Sequence, residues 1–309
     1  MILAVWVPLL MPFVAVPAAR RLADALRPVH AVRLLVATGI GLALCSLTAL
    51  TLLVVPGATR LPAVAALGEL VGPLSGITPA PAVPLAATAL VLLTGCAAAV
   101  GLTARRHWTE LHRAAHPGGE LAVLRDSRPD AYALPGRPGI PGRIVVTTGM
   151  LRALDPAERE ALLAHERAHL TGRHHLLVVA AEAAALCHPA LRALRAPLGY
   201  ALERCADEAA ATAVGDRRVA ARAIGRAALA ARAAEAVARP RPRVALAAAA
   251  GPVPRRVAAL LGRGAPRRFG RAAAATLLAC LVVSGTAALD AASDLHSSIE
   301  TAQGENPQR

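Results

Sequence analysis

Four long apolar stretches dominate the pattern of hydrophobic and polar positions along this chain. They cover residues 2–19, 34–55, 83–104 and 272–289. Each is close to the roughly 20 residues that a helix needs to cross a bilayer. No basic residue precedes the first stretch, whereas Arg20 and Arg21 follow it, so we expect an uncleaved anchor rather than a secretory signal. The pattern therefore predicts a membrane protein with about four transmembrane helices.

The residues from about 105 to 254 have a different pattern. Short runs that are typical of strands occur at 120–124, 131–134 and 143–148. A segment rich in proline and glycine separates the second run from the third and predicts a loop. Alanine-rich helical segments follow to about Ala238. This order of elements predicts an α+β domain.

One helix of that domain has clear end signals. Asp155 suits the N-cap, Pro156 suits the first helical position, and Glu158 completes a capping-box pattern. We expect this helix to run to about Thr171 and to stop at Gly172.

The apolar run at 176–187 is harder to assign, because it contains Glu182 and is short for a membrane span. We interpret it as a buried or membrane-grazing helix. The alternative is a hairpin of two crossings formed with the residues after His188.

Composition supports the membrane assignment. The chain is 55% hydrophobic and 17% charged, with a mean hydropathy of +0.48, whereas soluble domains carry about 25% charged residues. Its basic residues are all Arg, and its net charge is +14. Nucleic-acid binding would need basic clusters interleaved with aromatic residues, but aromatic residues make up only 2% of the chain. We expect a bilayer, and no nucleic acid, as a partner.

The arginines also predict an orientation, because cytoplasmic loops carry the excess of basic residues. They cluster after the first stretch, after the third and before the fourth. This places residues 1–104 in a membrane region with three spans, 105–271 in the cytoplasm, 272–289 in a fourth span, and 290–309 in a short external tail. Both termini are then extracytoplasmic. The five Cys form no CxxC pair, so neither a disulfide framework nor a thiolate metal site is indicated.

The candidate chemistry lies on the capped helix, in the run His165-Glu166-Arg167-Ala168-His169. Residues i and i+4 share one helix face, so both imidazoles can bind one zinc ion while Glu166 acts as general base on a metal-bound water. The alternative is an exposed helix on which Glu166 pairs locally with Arg.

A third ligand is available downstream. Glu203 and Asp207 are also spaced i to i+4, so Glu203 can complete a site with two His and one Glu while Asp207 orients a ligating imidazole. The alternative is a solvated acidic face, with Asp207 and Glu208 paired to arginines. His174, His175 and His188 are interpreted as surface or helix-end residues.

The motifs H-E-R-A-H and E-R-C-A-D resemble the HExxH…ExxxD signature of gluzincin-type membrane peptidases. The preceding A-Y-A-L-P-G, R-I-V-V-T-T-G-M-L-R-A-L and E-R-E-A-L-L-A-H-E resemble two related groups. These are the BlaR/MecR-type antirepressor peptidases and the HtpX and CAAX-prenyl-protease group. P-V-P-R-R-V-A-A-L-L, at 252–261, looks like the basic segment before their final span. Four predicted spans favour the BlaR/MecR type.

The resemblance implies a cytoplasmic zincin-like domain with one Zn²⁺ per chain. By resemblance, His165, His169 and Glu203 are metal ligands, Glu166 is the catalytic base and Asp207 supports a ligand. Ala131, Tyr132 and Ala133 look like the edge strand along which these enzymes align an extended substrate.

The function implied is a membrane zinc endopeptidase that acts on a cytoplasmic or membrane-proximal protein, with a transcriptional repressor as one candidate target. Tyr200 and Arg217 are the candidate oxyanion donors. No S-x-x-K motif occurs in the external tail, so we do not expect direct β-lactam sensing. The alternative is a non-catalytic membrane sensor or scaffold with a degenerate zincin domain.

Overall fold

The structure is a computed structural model that describes residues 2–69, 79–114, 118–234, 252–262 and 267–304. The long helices at the two ends of the chain are α1 (Ile2–Ala25), α2 (Pro28–Ala58), α4 (Pro79–Ala114) and α11 (Arg267–Ala302), and α3 (Pro62–Leu67) is a short helix after α2. The remaining elements are β1 (Leu121–Leu124), β2 (Ala131–Leu134), β3 (Arg143–Thr147), α5 (Thr148–Ala153), α6 (Pro156–Thr171), α7 (His174–Cys187), a 3-10 helix (Pro189–Leu194), α8 (Arg195–Val214), α9 (Arg217–Ala234) and α10 (Val253–Leu260).

Helices α1, α2, α4 and α11 are the four in the described part of the chain that are long and apolar enough to cross a membrane. Each extends beyond the stretch that hydropathy predicted. The largest extension is in α11, which continues to Ala302, so much of the predicted tail at 290–309 is helical. Helix α1 packs against α2 and α11, and α4 packs against α2.

Helix α1 contains Pro8, Pro12 and Pro17. Pro12 has no N–H to donate to the carbonyl one turn before it. The hydroxyl of Ser46, which is fully buried in α2, lies 3.0 Å from that carbonyl oxygen of Pro8 and 2.8 Å from the carbonyl of Leu42. A neighbouring helix thus supplies the donor that the proline removes, which ties α1 to α2.

The three strands form one sheet in the order β1-β3-β2. Strand β1 is parallel to β3, with Leu121 opposite Ile144, and β2 is antiparallel to β3, with Ala131 opposite Val146. Within the described residues β2 is an edge strand. The three predicted strands and the α+β character of this region are confirmed.

Helix α6 follows the sheet and has the predicted ends. The Asp155 side chain accepts a hydrogen bond from the Glu158 N–H, and the Glu158 side chain accepts one from the Asp155 N–H. The helix ends at Thr171, with Gly172 as its C-cap. It packs against α8, α9 and the sheet, so a helix of fixed position carries the H-E-R-A-H motif.

Helix α7 and the 3-10 helix form a hairpin arm that packs among the long apolar helices. Cys96 of α4 contacts the carbonyl of Leu186. At the tip of the arm, Nε2 of His188 lies 3.0 Å from the carbonyl of Leu9, and its ring packs edge-on against Phe13 at 5.3 Å. Within α7 itself His174, Ala184 and Ala185 are buried, so the interpretation of residues 176–187 as a buried or membrane-grazing helix stays a prediction.

The arm, α8 and the long helices share one apolar core. It is built from α1, α2, α7, α8 and α11, with Leu22, Leu35, Leu191, Leu198 and Leu277 among its members. Burial of such side chains contributes about 25 cal/mol per Å² of apolar area. The domain that carries the HExxH motif is therefore packed into the bundle of long helices rather than attached by a linker.

Candidate metal centre

Helix α6 places His165 and His169 one turn apart on one face, as their spacing predicted. Their Nε2 atoms are 3.1 Å apart, and both side chains are almost fully buried. Glu166, between them in sequence, is also fully buried. The alternative interpretation, in which these three residues lie on an exposed helix face with a local Glu–Arg pair, is therefore wrong.

Helix α8 brings Glu203 to the same point. Its Oε2 lies 3.6 Å from Nε2 of His165 and its Oε1 lies 3.5 Å from Nε2 of His169. Four tetrahedral zinc ligands at about 2.0–2.1 Å from the metal would be separated by about 3.3–3.4 Å. The observed separations are close to that value. Among the described residues, this is the one group of three His, Cys or acidic side chains that could hold a metal ion.

The second nitrogen of each imidazole has its own partner. Nδ1 of His165 lies 3.1 Å from Oδ1 of Asp207. Nδ1 of His169 lies 2.8 Å from Nδ1 of His174, so one of these two rings donates to the other. Both contacts turn the Nε2 atoms toward Glu203, which is the arrangement that ligating histidines need. The donor set and its surroundings therefore fit one divalent zinc ion.

Asp207 was expected to orient a ligating imidazole, and the structure places it against His165. It is 1% exposed, whereas the neighbouring Glu208 pairs with Arg217 at the surface. The two interpretations of this acidic segment thus apply to different residues. Asp207 faces the candidate metal centre, and only Glu208 belongs to a solvated face.

Arg256 is a member of the site that sequence reasoning missed. Its guanidinium lies 2.8 Å from Oε2 of Glu203, and its Nε donates to Oδ2 of Asp207 at 2.8 Å. It is fully buried. In the sequence it is one of six arginines before the last span, so it was counted only toward orientation. The available signal was its position on the apolar face of α10, one turn before the buried Leu260.

The surroundings of the two histidines shift their pKa values in opposite directions. Burial lowers the pKa of His165, but its contacts with Asp207 and Glu203 outweigh burial and raise that pKa to about 9. Burial, and then the charge of His165, hold the pKa of His169 well below its usual range. Burial also lowers the pKa of His174 to about 4. Of the two candidate ligand imidazoles, His165 is therefore the one that favours the charged form without metal, whereas His169 favours the neutral form.

The Asp207 carboxylate is held in its ionised form by the cations around it. Burial raises the pKa of Asp207, but hydrogen bonds from Arg256 and His165 lower it to below the usual Asp value. The charge of Glu166 also acts on Arg256, which places both groups in one electrostatic network.

The end of α1 contacts the residues around the centre. Arg204 donates to the carbonyls of Ala23 and Leu26, at 2.7 and 3.2 Å. Arg255 forms an ion pair with Asp24, and its guanidinium lies 4.5 Å from the centre of the Tyr200 ring. The metal centre is thus close to the end of the first apolar helix.

The candidate substrate strand is β2, and its free edge meets one requirement for strand addition. Ala131 and Ala133 are buried, whereas Tyr132 is half-buried. Tyr132 pairs in register with Val145 of β3, and the other side of the strand carries no further strand among the described residues.

The two oxyanion candidates have other partners. Arg217 donates to Glu208 and to the carbonyl of Leu260. Tyr200 lies between the guanidinium groups of Arg204 and Arg255. Neither has a contact with His165, His169 or Glu203 among the described interactions.

One family comparison concerns the part of the chain that carries the H-E-R-A-H motif. Residues 103–191 match the sequence model of peptidase family M48. The matched segment contains His165, Glu166 and His169 but ends before Glu203. The chain is also 42% identical over 57 residues to Protease HtpX homolog 2 of Methanosarcina mazei. That similarity covers 18% of this chain and 19% of the relative.

The chain therefore spans about a fifth of the length of that curated relative. No solved structure matches the present chain. The M48 segment and the HtpX similarity support a metalloprotease of the HtpX type, and the long apolar helices support a membrane protein.

Proposed function

We propose that this protein is a membrane-embedded zinc endopeptidase that hydrolyses peptide bonds of a cytoplasmic or membrane-proximal protein. The observation that carries the proposal is the convergence of His165, His169 and Glu203 in a buried cluster whose donor atoms lie within 4.8 Å of one another. Fully buried ionisable groups are rare in proteins unless they are paired or bind metal.

We place this centre on the cytoplasmic side of the bilayer. The arginines around the end of α1 and the start of α2, those near the end of α4, and those before and at the start of α11 lie on one side under the positive-inside rule. In this topology α1, α2, α4 and α11 cross the membrane, and both termini are external. The contacts of Arg204 and Arg255 with the end of α1 support a position of the centre just below the bilayer.

In this proposal His165, His169 and Glu203 hold the zinc ion, and Asp207 and His174 fix the two rings. The ion would polarise the scissile carbonyl and lower the pKa of a bound water to about 7. Glu166 takes the proton of the attacking water and gives it to the leaving amine. Its complete burial keeps bulk water from competing for that proton.

The substrate would bind in an extended form along Ala131–Ala133. Backbone hydrogen bonds to a free strand edge bind a peptide without reading its side chains. This mode suits an endopeptidase, because it aligns a continuous chain across the helix that carries Glu166.

The decisive experiment compares the wild-type protein with Glu166→Gln in detergent or nanodiscs. We expect about one zinc per chain in both by elemental analysis, and a loss of casein cleavage or self-cleavage of at least about 100-fold in the variant. Equal cleavage by both proteins would contradict the role of Glu166. Wild-type protein that binds no zinc would favour the non-catalytic sensor or scaffold.

A finer proposal follows from the resemblance to BlaR/MecR-type antirepressors. The four long apolar helices around the HExxH domain support it, and a transcriptional repressor would then be the substrate. The test is to establish whether a neighbouring gene encodes a small winged-helix repressor and to incubate any such repressor with the purified protein. Cleavage by wild type and not by Glu166→Gln would support the signalling role, whereas intact repressor with casein cleaved would restrict the proposal to a general endopeptidase.

A further inference from the structure

A cavity of about 580 Å³ lies between the end of α4, the loop from β2 to β3 and the start of α7. It is not part of the metal centre, since none of the ligands, Glu166 or Asp207 lines it. Its walls combine two kinds of chemistry. Trp108, Leu111 and Leu176 are apolar, whereas Arg137 and Arg173 are cationic.

Two of the lining residues carry a buried side-chain nitrogen without a hydrogen-bond partner in the described part of the chain. Nε of Arg137 and Nε2 of His107 are both buried and have no hydrogen-bond partner among the described residues. No acidic residue of the described chain lines the cavity. Glu110 and Glu182 are the acidic residues that act on His107, and both lie outside the lining. A buried N–H without a partner is unfavourable, and the guanidinium of Arg137 always carries its positive charge, so this cavity is suited to an anion.

The loop holds Arg137 in a fixed place. Arg137, Pro138, Gly139 and Ile140 form a turn in which the Ile140 N–H donates to the Arg137 carbonyl at 2.8 Å. Gly139 has φ +81°, and Pro followed by a residue with positive φ is typical of a type II turn. A Cβ on Gly136 would lie 2.4 Å from the Gly142 nitrogen, so the two ends of the loop are in close contact.

The cavity also lies at a definite level relative to the proposed bilayer. The apolar part of α4 ends at Ala104, and the cavity residues His107–Leu111 come three to seven positions later, or about 5–10 Å further along the axis. The headgroup layer extends about 5–8 Å beyond the hydrocarbon core. Trp108, which is 56% exposed, is an aromatic residue of the kind that concentrates at this level.

Helix α7 reaches the same level independently. Its His175 ring stacks on His107 with 6.2 Å between centroids. From there its apolar residues run toward the contact of Leu186 with Cys96, deep in α4. The cavity is thus open at the depth where lipid phosphates lie, between two helices whose apolar ends lie in the hydrocarbon.

We propose that this cavity binds the headgroup of an anionic phospholipid, with the phosphate at Arg137, Arg173 and His107 and the start of an acyl chain against Trp108 and Leu176. The proposal uses the membrane orientation given above but not the peptidase activity. A lipid bound here would hold the end of α4 to the β2–β3 loop and to the start of α7.

The chain offers a reporter for this site, because it has two Trp and only Trp108 lines the cavity. Trp6→Phe leaves Trp108 as the single Trp. In phosphatidylcholine vesicles with an equal mole fraction of either brominated phosphatidylglycerol or brominated phosphatidylcholine, we expect at least twofold stronger quenching of Trp108 by the anionic lipid. The preference should fall as salt increases.

Substitutions of arginine distinguish lipid binding in the cavity from a general attraction of anionic lipid to a basic surface. Arg137→Gln with Arg173→Gln should make quenching by the two lipids equal, although Arg105 and Arg106 remain. Arg173→Gln alone removes an exposed side chain and should give an intermediate preference in a protein that folds normally. Arg152→Gln, exposed on α5, is the matched control and should keep the full preference.

Four results would overturn the proposal. The first two are equal quenching by the two lipids in the Trp6→Phe protein and an unchanged preference in the double variant. The third is loss of the preference on adding soluble glycerol phosphate, which would assign the cavity to a free phosphate. The fourth is displacement of the lipid by a soluble acidic peptide at micromolar concentration, which would assign the cavity to a protein ligand.

Discussion

The guanidinium of Arg256 lies 2.8 Å from Oε2 of Glu203 and binds Asp207 through its Nε, although Arg256 comes from a helix near the end of the chain. One buried cation therefore touches both carboxylates that the sequence assigned to the metal centre. Removal of one partner of a buried ion pair costs about 3–5 kcal/mol, because the other charge stays buried without compensation.

Arg256→Gln should therefore lower the free energy of unfolding of the metal-free protein by about 3–5 kcal/mol. Zinc should restore part of this loss, since the ion then neutralises Glu203. Thermal unfolding in detergent with zinc and with chelator measures both effects. Arg255→Gln is the control, because its pair with Asp24 is half-exposed and is worth about 0–1 kcal/mol. An equal loss in both variants would contradict a central role for Arg256.

Asp207→Asn should weaken zinc binding by about 10–100-fold, as loss of an outer partner of a ligating His generally does. The neutral amide still fits the space but no longer favours the proton on Nδ1 of His165. Competition with a chromophoric chelator measures the affinity. Glu208→Gln changes the next residue, which pairs with Arg217 at the surface, and should leave the affinity within about twofold. A greater effect of the Glu208 change would mean that Asp207 does not support the site.

Zinc affinity should rise with pH. His165 has a pKa raised to about 9 without metal, so at neutral pH its proton must leave before Nε2 can bind the ion. Below that pKa the apparent affinity should increase about tenfold per pH unit, and it should level off above it. His169 is already neutral, so about one proton should be released per ion near pH 6, where a bound water with a pKa of about 7 would keep its proton. Calorimetry in buffers of different ionisation enthalpy counts that proton, and an affinity that stays flat from pH 6.5 to 8.5 would contradict the assignment.

Asp155→Ala should lower the free energy of unfolding by about 1 kcal/mol, because the first turn of α6 loses the acceptor for the Glu158 N–H. Activity should change little, since the proposed ligands His165 and His169 lie about three and four turns further along the helix. Glu160→Ala, exposed on the same helix, should change stability by less than about 0.5 kcal/mol. Denaturant titration of both variants makes the comparison, and equal effects would mean that the capping box contributes nothing.

Local sequence signals were enough to predict those elements that depend mainly on residues close together in the sequence. Asp155, Pro156 and Gly172 set the ends of α6, and hydropathy located four long helices, although their ends were placed too close to the apolar cores. The i to i+4 spacing of His165 and His169 fixed half of the centre, because a helix brings those positions together in any fold.

The remainder of the site depends on packing between distant segments. Nothing in the spacing of Arg256 or His174 shows that their side chains meet the metal ligands, since those contacts arise when α10 and α7 pack beside α8 and α6. The hairpin arm was ambiguous for the same reason. Its 14-residue helix is too short to cross a bilayer alone, and only its contacts with α1, α2 and α4 show where it lies.

The span that matches peptidase family M48 ends at residue 191, before Glu203, Asp207 and Arg256. An excised fragment with those limits would keep the two imidazoles and the proposed base, Glu166, but would lack the proposed ligand Glu203 and its partner Arg256. Neither trimming the protein to its recognisable segment nor grafting that segment onto another scaffold would preserve the proposed centre. Because the hairpin arm and α8 share their core with α1, α2 and α11, the unit to express reaches from α1 through α11.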